Sequence, residues 1–128
     1  MRIIYVASGI RVPGAYGGST HTWEVARGLT QLGHDVHVIA QQPAPRFARW
    51  FQPQSVTLDG IHLHYVGLPK ALSLLAYPYI ARLVRKLRPD ALIERYYNLA
   101  GAGMLAAKRA AVPSLLEVNA LIVDPPAD

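Results

Sequence analysis

The chain has 128 residues, 52% of them apolar, a net charge of +5 and no cysteine. That is one domain's worth of sequence with enough apolar surface for a core, so intrinsic disorder is excluded. The lack of cysteine excludes disulfides, thiolate metal sites and a thiol nucleophile, and it fits a reducing cytoplasm.

The first apolar run, residues 2–7, reads as a strand and is too short for a signal peptide. No apolar stretch approaches the ~20 residues of a membrane span. The expectation is therefore a soluble, cytoplasmic protein. Next comes "SGIRVPGAYGGSTHTWEVARGL", residues 8–29, a strand-to-helix turn built from Gly14, Gly17 and Gly18. Glycines let backbone N–H groups approach an anion, and the following helix start adds partial positive charge. A phosphate or diphosphate is the natural occupant; the alternative is that Gly17 and Gly18 only make a tight turn. The helix places Thr22, Val25, Ala26, Leu29 and Leu32 on one stripe. Ser19 or Thr20 caps its start, Glu24 complements its positive end and Gly33 ends it. His21, in the first turn, is placed to donate to a phosphate or hydroxyl.

A second strand at residues 35–40 ends in Gln41-Gln42, without the acid that holds a ribose, and the glycines do not read G-x-G-x-x-G. A nicotinamide-dependent dehydrogenase is not expected on that basis, and the P-loop pattern is absent. Residues 41–59 form a long Pro- and Gln-bearing loop with Arg46, Phe47, Arg49, Trp50 and Phe51. A third strand, residues 61–66, alternates polar and apolar, as an edge strand with one wetter face does. His62 and His64 share that face, but no third ligand is apparent and no metal site is predicted. His34 and His37, flanking the second strand, take structural roles.

The cleanest helical pattern follows: Leu72, Leu75, Ala76, Tyr79, Ile80, Leu83, Val84 and Leu87, interrupted by Pro78, which predicts a kink or a fresh start. Its other face carries Arg82, Arg85, Lys86 and Arg88, and Pro89 closes it. This basic face and the loop at residues 46–51 suit peripheral contact with an anionic bilayer at the inner face of the membrane, or with an amphipathic acceptor; the alternative is an ordinary solvated surface. A fourth strand, residues 91–95, leads into Glu94-Arg95-Tyr96-Tyr97-Asn98. A carboxylate and a guanidinium there meet the crevice: Arg95 can bind phosphate bidentately, and Glu94 can orient it or accept a hydroxyl. The alternative is a satisfied ion pair. The last helix, residues 99–111, is small-sided, so it can lie close to the sheet or admit a ligand to its first turn. A fifth strand, residues 114–118, carries Glu117 and leads to Asn119. Glu117 sits within an apolar strand, where a bond to neighbouring backbone competes with a role at the crevice. Ser8 and Ser19 lack an identifiable elbow or base for a serine nucleophile.

Strand–helix alternation predicts a doubly wound, mainly parallel α/β sheet of about five strands with helices on both faces. Ligands of such sheets bind beyond the carboxyl ends of the strands, where residues 8–20, 94–98 and 117–124 converge. The positive charge favours anionic partners; the basic residues are dispersed without a reader motif, so nucleic acid is not expected.

The blocks "MRIIYVAS…YGGSTHTWEVARGLTQLGHDVHVIA" and "PDALIERYYNLAGAGMLAAKRAAVPSLLEVNA" resemble the amino-terminal domain of the family 4 glycosyltransferases, which have the two-domain GT-B fold. The resemblance spans most of the chain apart from residues 41–70. It implies a Rossmann-like half of a GT-B fold and transfer of a sugar, with retained configuration and no metal, from a nucleotide-diphosphate sugar co-substrate to an acceptor. It sets Gly17 and Gly18 against the donor diphosphate and Arg95 nearest the reacting sugar, in the catalytic position. His21, Glu94, Tyr96, Asn98 and Asn119 then shape the acceptor site. The family's E-x7-E donor motif cannot be present, because the only glutamates are Glu24, Glu94 and Glu117. Residues 1–128 are thus expected to be a single truncated domain, inactive alone, that needs a carboxy-terminal domain or a partner chain. Two further readings stay open: a non-catalytic docking module, whose open sheet edge would pair with itself or a partner, and an unrelated α/β phosphate-binding domain.

Overall fold

In a computed structural model of the chain, the described residues are 1–11, 17–41, 54–66, 76–95 and 101–117. They form six strands and three helices: β1 Arg2–Arg11, α1 Gly17–Gln31, β2 Asp35–Gln41, β3 Gln54–Leu58, β4 Ile61–Val66, α2 Tyr77–Leu87, β5 Ala91–Arg95, α3 Ala102–Arg109 and β6 Ser114–Glu117. The sheet order is β3-β4-β2-β1-β5-β6, parallel throughout except for the antiparallel β3–β4 pair. This is the doubly wound, Rossmann-like arrangement that the sequence predicts.

Alternation along the central strands divides the core into two layers. Tyr5, Val36, Val38, Ala40, Ile61 and Leu63 point to one face and pack under Ala26 of α1, with Trp23, Val25 and Leu29 around it. Ile4, Val6, Ile39 and Leu92 point to the other, under Ile80 and Val84 of α2 and Ala102, Ala106 and Ala107 of α3. Burying each such aliphatic side chain contributes roughly 1.5–3 kcal/mol.

Four expectations change. The sheet has a sixth strand, β3, in what the sequence presents as loop. It pairs with β4 through Asp59 and Gly60, whose φ values of 53° and 79° are those of a two-residue hairpin turn. The third predicted strand, β4, is therefore not an edge: its wetter face is real, but β3 lies outside it. Helix α1 begins at Gly17, so Ser19 and Thr20 lie inside its first turn instead of capping it, and Glu24 falls beyond that turn, 3.4 Å from Arg27. Leu32, expected on the buried stripe, is 75% exposed, because the helix has ended at Gln31 and the chain turns through Gly33 at φ 92°.

Pro78 sits in the first turn of α2, so it starts a helix and does not kink one. The small residues of α3 serve close packing. A Cβ on Gly103 would stand 2.8 Å from Val6 Cγ2, so only glycine allows α3 this near β1.

Candidate functional site

The crevice lies where β1, β5 and β6 pass the start of α1. Arg95 and Glu117 are register partners at the carboxyl ends of β5 and β6. On β5, Leu92 and Glu94 face α2 and α3, so Ile93 and Arg95 face the α1 side, and Leu115 and Glu117 of β6 share that face. Leu115 is 63% exposed, which leaves this part of the sheet open as a shelf beside the helix.

Four side chains meet there around one oxygen. Glu117 Oε1 accepts a hydrogen bond from the Tyr5 hydroxyl. The same oxygen lies 3.6 Å from Arg95 Nη1 and 3.5 Å from His21 Nε2. Arg95 Nη1 and His21 Nε2 are buried atoms with no hydrogen-bond partner among the described residues, so both reach the carboxylate only at ion-pair distance. Burial, followed by the hydrogen bond to Glu117, raises the Tyr5 pKa well above the ordinary phenol range, which keeps it a neutral donor. Arg95, with 14% of its side chain accessible, is half of a compensated pair that still offers further N–H donors.

Gly17 is one helical turn before His21, on the same side of α1. A helix leaves its first N–H groups without intrahelical acceptors, here including those of Gly17, Gly18 and Ser19, and its dipole adds positive charge. The arrangement therefore gathers backbone donors, a guanidinium and an imidazole along one shelf, as an anionic or polyhydroxylated ligand requires.

Of the residues predicted from sequence, the structure brings His21 and Arg95 together on Glu117, and Gly17 and Gly18 lie in the first turn of the helix that carries His21. Glu94 goes elsewhere. It is 2% exposed on the opposite face, and its carboxylate accepts the N–H groups of Gly101 (3.2 Å), Gly103 (3.1 Å) and Met104 (3.0 Å), capping α3. Its carboxylate holds a helix start and neither orients Arg95 nor lines the shelf. Tyr96, Asn98 and Asn119 lie outside the described residues, as do the aromatic loop at residues 46–51 and Leu72 and Leu75. Glu117 emerges as the hub of the shelf, bound by side chains. Tyr5 was hidden in an apolar strand where its ring reads as core; its hydroxyl opposite a strand-borne glutamate was the available signal.

A second polar cluster lies on the α2 face. His37, expected to be merely structural, stacks on His62 with ring centroids 4.5 Å apart, and Asp35 joins these two in a group of three side chains able to ligate a metal. The Arg2 guanidinium beside Asp35 holds its carboxyl below the usual range. Burial pushes His37 below its ordinary value and His64 down to about 4.

Residues 16–127 match the family described as glycosyl transferase 4-like domain. The crystal structure of Acinetobacter baumannii MurG superposes with a TM-score of 0.52 at 22% identity, covering 90% of this chain and 33% of that one, which supports the fold. The chain thus spans about a third of the length of that structure. No curated protein matches the sequence significantly.

Proposed function

The chain belongs to the glycosyl transferase 4-like domain family, and from that premise we propose that it is the acceptor-side half of a retaining glycosyltransferase using a nucleotide-diphosphate sugar. Family membership removes the reading as an unrelated phosphate-binding domain. The observation that carries the proposal is the meeting of His21, Arg95 and Tyr5 on Glu117 one turn from Gly17 and Gly18. In this reading the α1 amides at Gly17 and Gly18 lie against the donor diphosphate. Arg95, oriented by Glu117, neutralises charge that develops on the leaving phosphate, and His21 donates to an acceptor hydroxyl or a phosphate oxygen. Tyr96, Asn98 and Asn119 complete the acceptor side. The donor's nucleotide is held by a carboxy-terminal domain or a partner chain, so this chain alone does not turn over.

The test is an amide-resolved NMR titration of the chain with pyrophosphate and with UDP. Gly17, Gly18 and His21 resonances should move with weak, millimolar affinity, and Arg95→Ala should abolish the movement. Shifts confined to other surfaces would overturn the reading. Release of UDP or GDP from nucleotide sugars by the chain alone would overturn its dependence on a second domain.

One observation favours a docking role. Leu115 and Leu116 are exposed on β6, one of the two edge strands of the described sheet, and such an edge accepts another strand or chain. Co-purification with a partner bearing the donor motif, and activity restored by it, distinguishes a split transferase from self-association.

A further inference from the structure

On the face of the sheet away from the shelf, three strands and a neighbouring side chain build a site that sugar transfer does not use. We propose that Asp35, His37 and His62 bind a zinc-like divalent transition-metal ion. The Nε2 atoms of His37 and His62 each lie 3.3 Å from Asp35 Oδ1. All three donor atoms are within 4.8 Å of one another. A tetrahedral ion with bonds of about 2.0–2.1 Å holds adjacent ligand atoms about 3.3–3.4 Å apart. Two of the three separations therefore already match; the two rings are stacked 19° from parallel, so ligation also requires at least one of them to turn until both nitrogens point at the ion.

The surroundings are built for ligation. Metal-binding imidazoles use their second nitrogen to fix tautomer and orientation, and both do so here. His62 Nδ1 pairs with Thr57 Oγ1 at 3.1 Å, and His37 Nδ1 with His64 Nε2 at 2.9 Å. His64 is anchored in turn, its Nδ1 3.0 Å from Ser55 Oγ. Arg2 Nε donates to Asp35 Oδ2 at 2.8 Å; His37 Nε2 lies 3.3 Å from that oxygen as well, while Oδ1 faces both rings. The hydroxyls come from β3, the strand across the hairpin from His62 and His64, so the outer contacts and the ligands are in register by construction.

Asp35 and His62 side chains are about two-fifths exposed, which gives an ion a path in and leaves its remaining position to water. Two imidazoles and one carboxylate favour Zn²⁺, Co²⁺, Ni²⁺ or Cu²⁺ over Mg²⁺ and Ca²⁺, which prefer oxygen alone. The ion would clamp β2 to β4, so its role is to stabilise this half of the sheet. Arg2, holding the same carboxylate, weakens the site into the micromolar range.

The experiment is titration of the tag-free chain with ZnCl₂ by calorimetry, with the visible ligand-field spectrum of Co²⁺ as a second readout. One ion per chain is expected, with bands of a four-coordinate nitrogen–oxygen site, and Zn²⁺ but not Mg²⁺ should raise Tm. His62→Ala should weaken binding at least tenfold, and Asp35→Asn should do the same. His34, whose Nδ1 lies 3.2 Å from the terminal amine, is a competing nitrogen site outside the cluster, and His34→Ala should change nothing. Absence of saturable Zn²⁺ binding would overturn the proposal. So would binding that survives both His62→Ala and Asp35→Asn, or that is lost with His34→Ala alone.

Discussion

Arg95 and Glu117 stand side by side in register on adjacent parallel strands, and the 3.6 Å between Nη1 and Oε1 makes the carboxylate a shared anchor for guanidinium, imidazole and phenol. Glu117→Ala strands the Tyr5 hydroxyl and the Arg95 charge in a half-buried place, at a cost of about 1–3 kcal/mol. Because Tyr5 and Glu117 bond directly, Tyr5→Phe and Glu117→Ala should be non-additive by roughly 1 kcal/mol in urea denaturation. Additive losses would separate the two residues energetically.

Glu94 and Gly103 make a second test, confined to the opposite face. Three α3 amides share the Glu94 carboxylate, and α3 has no other side-chain cap at Gly101. Glu94→Ala should cost about 2 kcal/mol or more, since lost caps and buried unpaired donors each carry about 1–2 kcal/mol. Gly103→Ala forces a methyl against Val6 and should cost about 1–3 kcal/mol. Adding Val6→Ala to Gly103→Ala should recover part of that loss. Thermal melts of the three variants check both numbers, and a neutral Gly103→Ala would contradict the close packing of α3 on β1.

The helices and the parallel strands were legible because their cause is local: apolar periodicity in α2, continuous aliphatic runs in β1 and β2, and proline at a helix start. What was not legible depended on pairing across the sheet. Residues 54–58 read as loop because Gln54, Ser55 and Thr57 are polar and the strand exists only by bonding to β4; the Asp59-Gly60 turn was its one local signal. Glu94 and Arg95 are neighbours in sequence, yet a pleat sends them to opposite faces, one to α3 and one to the shelf. The period-two rule could have separated them once β5 was recognised. That His21 and Arg95 lie close together was legible from the topology of strand ends, whereas the grouping of Asp35 and His37 with His62 was not, because the strand order that sets β2 beside β4 is a property of the whole chain.

Tyr5, Tyr65 and Tyr79 all have pKa values raised first by burial, and Glu117 raises Tyr5 further. Each folded-state value lies above the unfolded value of about 10. The stability these groups contribute is therefore present below pH ~10 and is lost as the pH rises through the folded-state values. Of the seven tyrosines, these three should ionise only as the chain opens, so phenolate absorbance should show a late phase coincident with loss of circular dichroism. Tyr5→Phe should shrink that phase. Independent, gradual ionisation of all seven would contradict the burial of Tyr5 beneath α1.

The exposed side of α2 and α3 carries Arg82, Arg85, Lys86, Arg88, Lys108 and Arg109, with Arg85 and Arg88 rimming a recess of about 570 Å³ between the two helix ends. No helix among the described residues is long and apolar enough to cross a membrane; this basic surface is the one whose charge suits the proposed contact with an anionic bilayer. Each basic side chain near an anionic leaflet contributes about 1 kcal/mol. Losing two of them should weaken binding about 30-fold. Sedimentation with phosphatidylglycerol vesicles should show binding that fades as salt shortens the screening length, and Arg85→Glu with Arg88→Glu should remove most of it. Neutral phosphatidylcholine vesicles should bind nothing. Because these residues are on the α2–α3 face, the same double variant should leave the pyrophosphate response of Gly17 and His21 unchanged; if both responses fell together, the membrane surface and the shelf would not be separate.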